Sequence, residues 1–114
     1  MTCKKYEIRL VDLNQQTETG KVRPVLIEQA DLLNKLPHPS TLVCPITTNT
    51  VEDVSILRVS LKRGTANLHE DCDIMIDQAR VIDNKRLIKK IGSLPQHLTV
   101  QVQKNILIIF DFEK

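Results

Sequence analysis

The sequence predicts a mainly β chain of the α+β class: a small barrel of short strands with one C-terminal α-helix packed against it. Three observations predict it. Through the first two-thirds of the chain, short segments either alternate apolar with polar residues or stay apolar throughout. Polar or proline-containing stretches separate them. The tail then changes to the period of an amphipathic helix.

Taken in order, Tyr6 to Asp12 alternates and forms the first strand, and the polar stretch Asn14 to Lys21 follows as a long loop. Arg23 to Ile27 is a compact apolar strand; its Pro24 must stand at the start or on an edge, because proline has no N–H to give a ladder. Ala30 to Leu36 is a short helix stopped by Pro37. Leu42 to Thr47 and Ser55 to Leu61 are further strands, separated by the polar loop Thr48 to Asp53, and Asp73 to Ile82 is another. In the tail, Ser93 is placed as an N-cap, with Pro95 in the first turn and Gln96 three residues after the cap. Leu98, Val102, Ile106 and Ile109 then share one face, which predicts a helix from Leu94 to Ile109.

At 114 residues, the chain is expected to be one domain spanning 1–114. Its formal charge of +2 neither demands nor excludes nucleic acid as a partner. No run is long enough for a membrane span, and Met1-Thr2-Cys3-Lys4-Lys5 is not followed by the apolar stretch of a secretory signal, so a cytoplasmic protein with no membrane partner is expected. Cys3, Cys44 and Cys72 are odd in number and widely spaced, which suits a reducing compartment. Cys44 reads as a core residue, and Cys72, between Asp71 and Asp73, as a poor thiolate.

Three segments carry more information than the rest: Gly20 to Ile27 with its Arg23-Pro24, Pro45-Ile46-Thr47-Thr48-Asn49, and Ile76-Asp77-Gln78-Ala79-Arg80-Val81-Ile82-Asp83. In this order and spacing they resemble the MazF/PemK/Kid toxins, small ribonucleases of bacterial toxin–antitoxin pairs, over Tyr6 to Phe110. The resemblance implies a small SH3-like β-barrel of the MazF/CcdB toxin type with a C-terminal α-helix. It also implies an mRNA interferase: a homodimeric, metal-independent endoribonuclease that cuts single-stranded RNA at a short sequence to 2′,3′-cyclic phosphate and 5′-hydroxyl ends. No cofactor or metal is expected. The partners implied are RNA, a second copy of the chain and an acidic, partly disordered MazE-like antitoxin.

Cutting RNA without a metal uses the ribose 2′-hydroxyl as nucleophile, so the protein must help to deprotonate it, stabilise charge added at phosphorus and protonate the leaving 5′ oxygen. A guanidinium, always charged and forked, suits the middle task, and Arg23 beside the rigid Pro24 is the candidate. The resemblance makes Thr47 the active-site threonine, with Thr48 as the alternative if the register slips by one. Glu18 falls in the family's Gly-x-Glu-Gln loop, where it could orient Arg23 or accept a proton. Asp77 matches the acid of the family's Asp-Gln pair. Lys21, Thr48, Asn49, Gln78 and Arg80 are the residues expected on the RNA. The chain departs from the pattern at Tyr6, Gln16, Thr17, Thr19 and Met75, where the family or its Kid-like branch carries glycine, glycine, histidine, glutamine and arginine.

Other clusters point less far. His69-Glu70-Asp71-Cys72-Asp73 packs metal-ligand types together, but a strand would alternate their faces and no second cluster accompanies them. Lys85, Arg86, Lys89 and Lys90 read as a solvated basic face that could follow an RNA backbone. His38 and His97 match nothing catalytic. With 3% aromatic residues and no Trp, base stacking would fall to Tyr6 or to arginine planes. The alternative readings are a non-enzymatic gyrase poison like CcdB, which would want an aromatic C-terminal end, and an RNA-binding module of the same fold without catalysis.

Overall fold

The computed structural model describes residues 2–12 and 22–112. Seven strands and two helices follow in order: β1 (Glu7–Asp12), β2 (Val22–Ile27), α1 (Asp31–Asn34), β3 (Ser40–Thr47), β4 (Arg58–Leu61), β5 (Cys72–Met75), β6 (Arg80–Asp83), β7 (Leu87–Ser93) and α2 (Gln96–Ile109). The strands form one antiparallel sheet in the order β4-β5-β3-β2-β1-β7, with β6 also on β3. The mainly β fold with one C-terminal helix is therefore as the sequence predicts. The predicted Asn14–Lys21 loop lies outside the described residues.

The central strand, β3, changes partner midway. Residues Ser40 to Val43 pair with β6, and Ile46 and Thr47 pair with β5. Between them stands Pro45, which has no N–H to offer a ladder. This overturns the expectation of one strand from Asp73 to Ile82: Ile46 faces Ile74 and Val43 faces Arg80, so the longer path from Met75 to Ala79 is taken up by a 3₁₀ turn, Ile76–Gln78. On its other flank β3 meets β2 only over Val43 to Pro45. Pro24 of β2 stands just past the end of that ladder, as its chemistry requires.

Several boundaries move for local reasons. Tyr6 has φ of 71°, a left-handed conformation, so β1 begins at Glu7. The first helix shrinks to one turn, closed by Asn34, whose amide exchanges hydrogen bonds with the Gln29 backbone and side chain. β4 starts only at Arg58, because the Leu57 and Arg58 amides both turn back to the Val54 carbonyl. The capping box does not form. Ser93 ends β7, the Leu94 amide donates to the Tyr6 carbonyl, and α2 starts at Gln96 with Pro95 at its N-cap and no side-chain cap.

Periodicity misses β7 altogether. Its pairing with β1 carries two irregularities, so that Ile91 and Ile88 have no partner in the register Ile8↔Gly92, Arg9↔Lys90, Leu10↔Lys89, Val11↔Leu87. Each extra residue flips the phase of the side chains, and the strand shows no period of two. Lys89 and Lys90 belong to this strand and are both exposed, and Lys90 pairs with Glu7 at 3.5 Å.

Apolar residues pack on both sides of the sheet. On one side, Ile8, Leu26, Cys44, Ile46, Ile74 and Val102 of α2 belong to the larger core, with Leu98, Ile106 and Ile109 packed against it, as the helical spacing predicts. On the other, Val11, Val25, Ile27, Val43 and Ile82 gather under Cys3. A 3₁₀ turn, Thr65–Asn67, bridges the end strands. The Asn67 side chain donates to the Ile91 carbonyl at 2.7 Å, and Gly92 lies so close to the Ala66 carbonyl that any Cβ there would collide with it.

Candidate RNA-cleavage site

Opposed residues in an antiparallel ladder present their side chains on the same face. The β2–β3 register pairs Val25 with Pro45, and continuing it by two residues sets Arg23 across from Thr47. Thr47 is paired on its other flank with Asp73, and Asp73 with Ser60. Arg23 itself pairs with Val11 of β1. With that extension, the pair Val11–Arg23 and the run Thr47–Asp73–Ser60 align as one row across five strands. It lies on the face of Val25 and Val43, at the end where that apolar patch stops.

The two leading candidates differ in setting. Arg23 is exposed and takes no hydrogen bond or ion pair within the described residues. A charged fork held at a strand end can meet an anionic oxygen without first breaking an internal contact. Thr47 is half-buried at the last position of β3, and its hydroxyl oxygen accepts the Asn49 amide proton at 3.1 Å. That contact uses a lone pair and leaves the hydroxyl proton free to be donated.

The other predicted residues spread along β3. Thr48 and Asn49 are exposed just past Thr47. Asp77 and Gln78 are exposed on the 3₁₀ turn between β5 and β6, and Asp77 makes no hydrogen bond within the described residues, so it does not brace the barrel there. Arg80 is exposed opposite Val43, four residues along β3 from Thr47, or about 13 Å at strand rise. That is too far to share a phosphate with Arg23 and within reach of a neighbouring nucleotide. Glu18 and Lys21 lie outside the described residues.

Sequence reasoning missed a deeply buried, multiply hydrogen-bonded carboxylate near the site. Asp73 is buried to 1% exposure, accepting from the Val51 amide at 2.9 Å, the Arg58 guanidinium at 3.1 Å and the Ser60 hydroxyl at 3.3 Å. The same Arg58 nitrogen donates to the Asn49 carbonyl at 2.8 Å. Arg58 and Ser60 are two apart in a strand, a signal visible in the sequence, but their meeting with Asp73 depends on a register that no local pattern specifies. Asp71 is engaged too, capping the Arg63 amide.

The cysteines offer no nucleophile. Burial, with the Glu28 charge behind it, pushes the Cys44 thiol up to about 12. Burial also raises Cys72, with Glu70, Asp71 and Asp73 adding to it. A cleft of about 800 Å³ opens beside the site, between Thr50–Ser55, Arg58 and Gln101 of α2, whereas one of about 570 Å³ lies at the far end of β3 around Gln29, His38 and Asn84.

Comparison with known proteins agrees with this architecture. The profile of a family described as PemK-like, MazF-like toxin of type II toxin–antitoxin system matches residues 4–110. A curated protein of Staphylococcus epidermidis, endoribonuclease MazF, is 32% identical over 101 residues, covering 87% of this chain and 83% of that protein. Among solved structures, the Mycobacterium tuberculosis toxin MazF-mt6 superposes with a TM-score of 0.78 at 22% identity, covering 95% of this chain and 99% of that one. The MazE–MazF structure from Deinococcus radiodurans superposes at 0.80 and 15% identity, covering 99% of each chain.

Proposed function

The chain belongs to the PemK-like, MazF-like family of type II toxins, which are endoribonucleases, and from that premise we propose that it cuts single-stranded RNA with Arg23 and Thr47 on the scissile phosphate. What supports this is the β2–β3 ladder: extended two residues past its last pair, Val25 with Pro45, it lines up Arg23, a guanidinium with no partner among the described residues, with Thr47, whose hydroxyl proton is available.

The ribose 2′-oxygen attacks phosphorus and loses its proton, the bond to the 5′ oxygen breaks, and that oxygen takes up a proton. The products are a 2′,3′-cyclic phosphate and a 5′-hydroxyl. Arg23 neutralises the charge that builds on the non-bridging oxygens, and Thr47 donates to one of them. Asp77 and Glu18 are the carboxylates available for proton transfer. Lys21, Thr48, Asn49, Gln78 and Arg80 hold the flanking nucleotides, with Arg80 beyond the cut itself.

The working form is a homodimer, because one small barrel offers only a shallow groove. The natural inhibitor is an acidic antitoxin resembling MazE, the partner in the Deinococcus structure, which covers the cationic row. No helix among the described residues is long and apolar enough to cross a membrane, and the cytoplasm, where mRNA is found, is the proposed location. The gyrase-poison alternative lacks support, since the curated relative is a nuclease.

Incubation of the purified protein with a long in vitro transcript, followed by mapping of the 5′ ends, tests the reading. Cleavage at a recurring short sequence that survives excess EDTA is expected, and an oligonucleotide with 2′-deoxyribose at the cut should bind without being cut. Cutting of that deoxy substrate, or dependence on a divalent ion, overturns the mechanism.

A further inference from the structure

We propose that Asp73 and Arg58 are the positioning pair of the site: together they fix the turn after Thr47 and so set the direction of its hydroxyl. The inference rests on the reading of Thr47 as the group that acts beside Arg23. Asp73 occupies the next place in the same row, directly across from Thr47, yet it is too deeply buried to meet a substrate.

Its contacts lead to the turn. One carboxylate oxygen takes the Val51 amide and the Arg58 Nη1, and the other takes the Ser60 hydroxyl. The Arg58 Nη1 also donates to the Asn49 carbonyl, and the Asn49 amide donates to Thr47 Oγ1. Asp73, Arg58, Asn49 and Thr47 are thus joined in an unbroken chain of hydrogen bonds. The Val51 contact holds the turn from its far end.

A buried ion pair is weak evidence for stability, because apolar residues of similar volume often serve the fold as well or better. Its placement is therefore the informative fact. Of the residues that follow Thr47, two within four positions are bound to this pair, and one of them holds the threonine oxygen. An error of about 1 Å in such a group can cost on the order of a hundredfold in rate. The turn has no other anchor of this depth among the described residues, since the Thr50 amide bonds only to the Thr48 carbonyl within it.

The test is a set of coupled variants read on a fluorescent oligoribonucleotide that carries the mapped cut sequence. Asp73→Asn keeps the size and one acceptor but removes the charge that holds Arg58. Arg58→Lys keeps the charge opposite Asp73 and with it the fold, but an ammonium on a flexible stem cannot hold both Asn49 and Asp73 in place. Each is expected to lower kcat by on the order of tenfold or more, with any rise in KM from the loosened Asn49 smaller than that loss. Amide exchange at Asn49 and Val51 should accelerate in both. Introduced into Thr47→Ala, neither should lower kcat further, because the group they orient is gone.

If the losses multiply with that of Thr47→Ala, or if KM rises while kcat holds, the pair does not act through Thr47 and the proposal is overturned. If Asp73→Asn does not fold, Arg58→Lys alone decides between these outcomes. A wild-type protein that cuts while Thr47→Ala retains full activity refutes the role of Thr47 itself, and a wild-type protein that cuts no RNA refutes the proposed function. Each result points to a different failure.

Discussion

A guanidinium that already serves an internal partner must give it up to bind substrate, and Arg23, free of such contacts within the described residues, has nothing to give up. Arg23→Ala should therefore leave thermal unfolding within about 0.5 kcal/mol of the parent while the cleavage rate falls on the order of a hundredfold or more. Arg23→Lys should recover little of that rate, since a point charge does not reproduce the fork. Two buried glutamates make an opposite pair of predictions for acid and base. Burial alone would raise the Glu7 carboxyl, but the Lys4 amide, the Arg9 guanidinium and the Lys90 charge hold it below its ordinary 4.5. Burial raises Glu28 above 4.5 against the pull of Lys5. Glu7 thus adds stability that is present above 4.5 and lost as pH falls through its lowered value, whereas the contribution of Glu28 is complete below 4.5 and lost as pH rises through its raised value. Urea titrations across pH should show Glu7→Gln flattening the acid limb and Glu28→Gln flattening the loss above 4.5. At this scale Arg23 and Thr47 can be proposed from the sequence because their motifs are local, but Asp73 cannot, because a buried acid declares itself only when its cross-strand partners are known.

Between residue and fold, α2 shows what helical spacing conveys and what it hides. Leu98, Val102, Ile106 and Ile109 meet the core as the pattern implies, but the helix is also fixed by a polar residue on the same side. Asn105, at 1% exposure, donates to the Ser55 carbonyl at 2.9 Å and accepts from the Gln101 amide at 3.0 Å. Asn105→Ala strips both contacts from a buried place and should cost about 1–3 kcal/mol in chemical denaturation. If that variant unfolds like the parent, the tie between α2 and the turn before β4 is not structural. β7 is illegible for a related reason. Hydrophobic alternation reports a strand only while its register holds, and two irregular steps against β1 erase it. Helix α1 is shorter than its sequence pattern implies, and the stretch predicted as one strand from Asp73 to Ile82 is broken in two by a 3₁₀ turn, because an apolar run does not reveal where a strand's neighbour changes.

For the whole molecule, the outer surface is unusually apolar at its C-terminal end. Ile108, Phe110 and Phe112 are each at least 46% exposed, and the two phenylalanine rings stack at 6.0 Å. A patch of this kind suits burial against a second copy. Sedimentation at micromolar concentration should return a dimer, and Phe110→Ser with Phe112→Ser should shift it toward monomer. A wild-type monomer at that concentration would count against a groove shared by two chains. The barrel class and the C-terminal helix can be read from the sequence because periodicity survives at that length, while the order of strands in the sheet cannot.

The seam where the 3₁₀ turn meets β7 reverses the usual arithmetic of glycine and alanine. Replacing glycine by alanine ordinarily stabilises by about 0.4–1 kcal/mol, because the unfolded chain loses freedom, and the reverse exchange ordinarily costs as much. Here the alanine, Ala66, has φ of 49° and Asn67 has 66°, while Gly92 opposite has no room for a methyl. Ala66→Gly should therefore raise the melting temperature or leave it unchanged, and Gly92→Ala should lower it, both measured by differential scanning calorimetry. Two exchanges that look alike in composition would move in opposite directions from those expected of an open chain. At this seam β7 meets the 3₁₀ turn as backbone fitted against backbone.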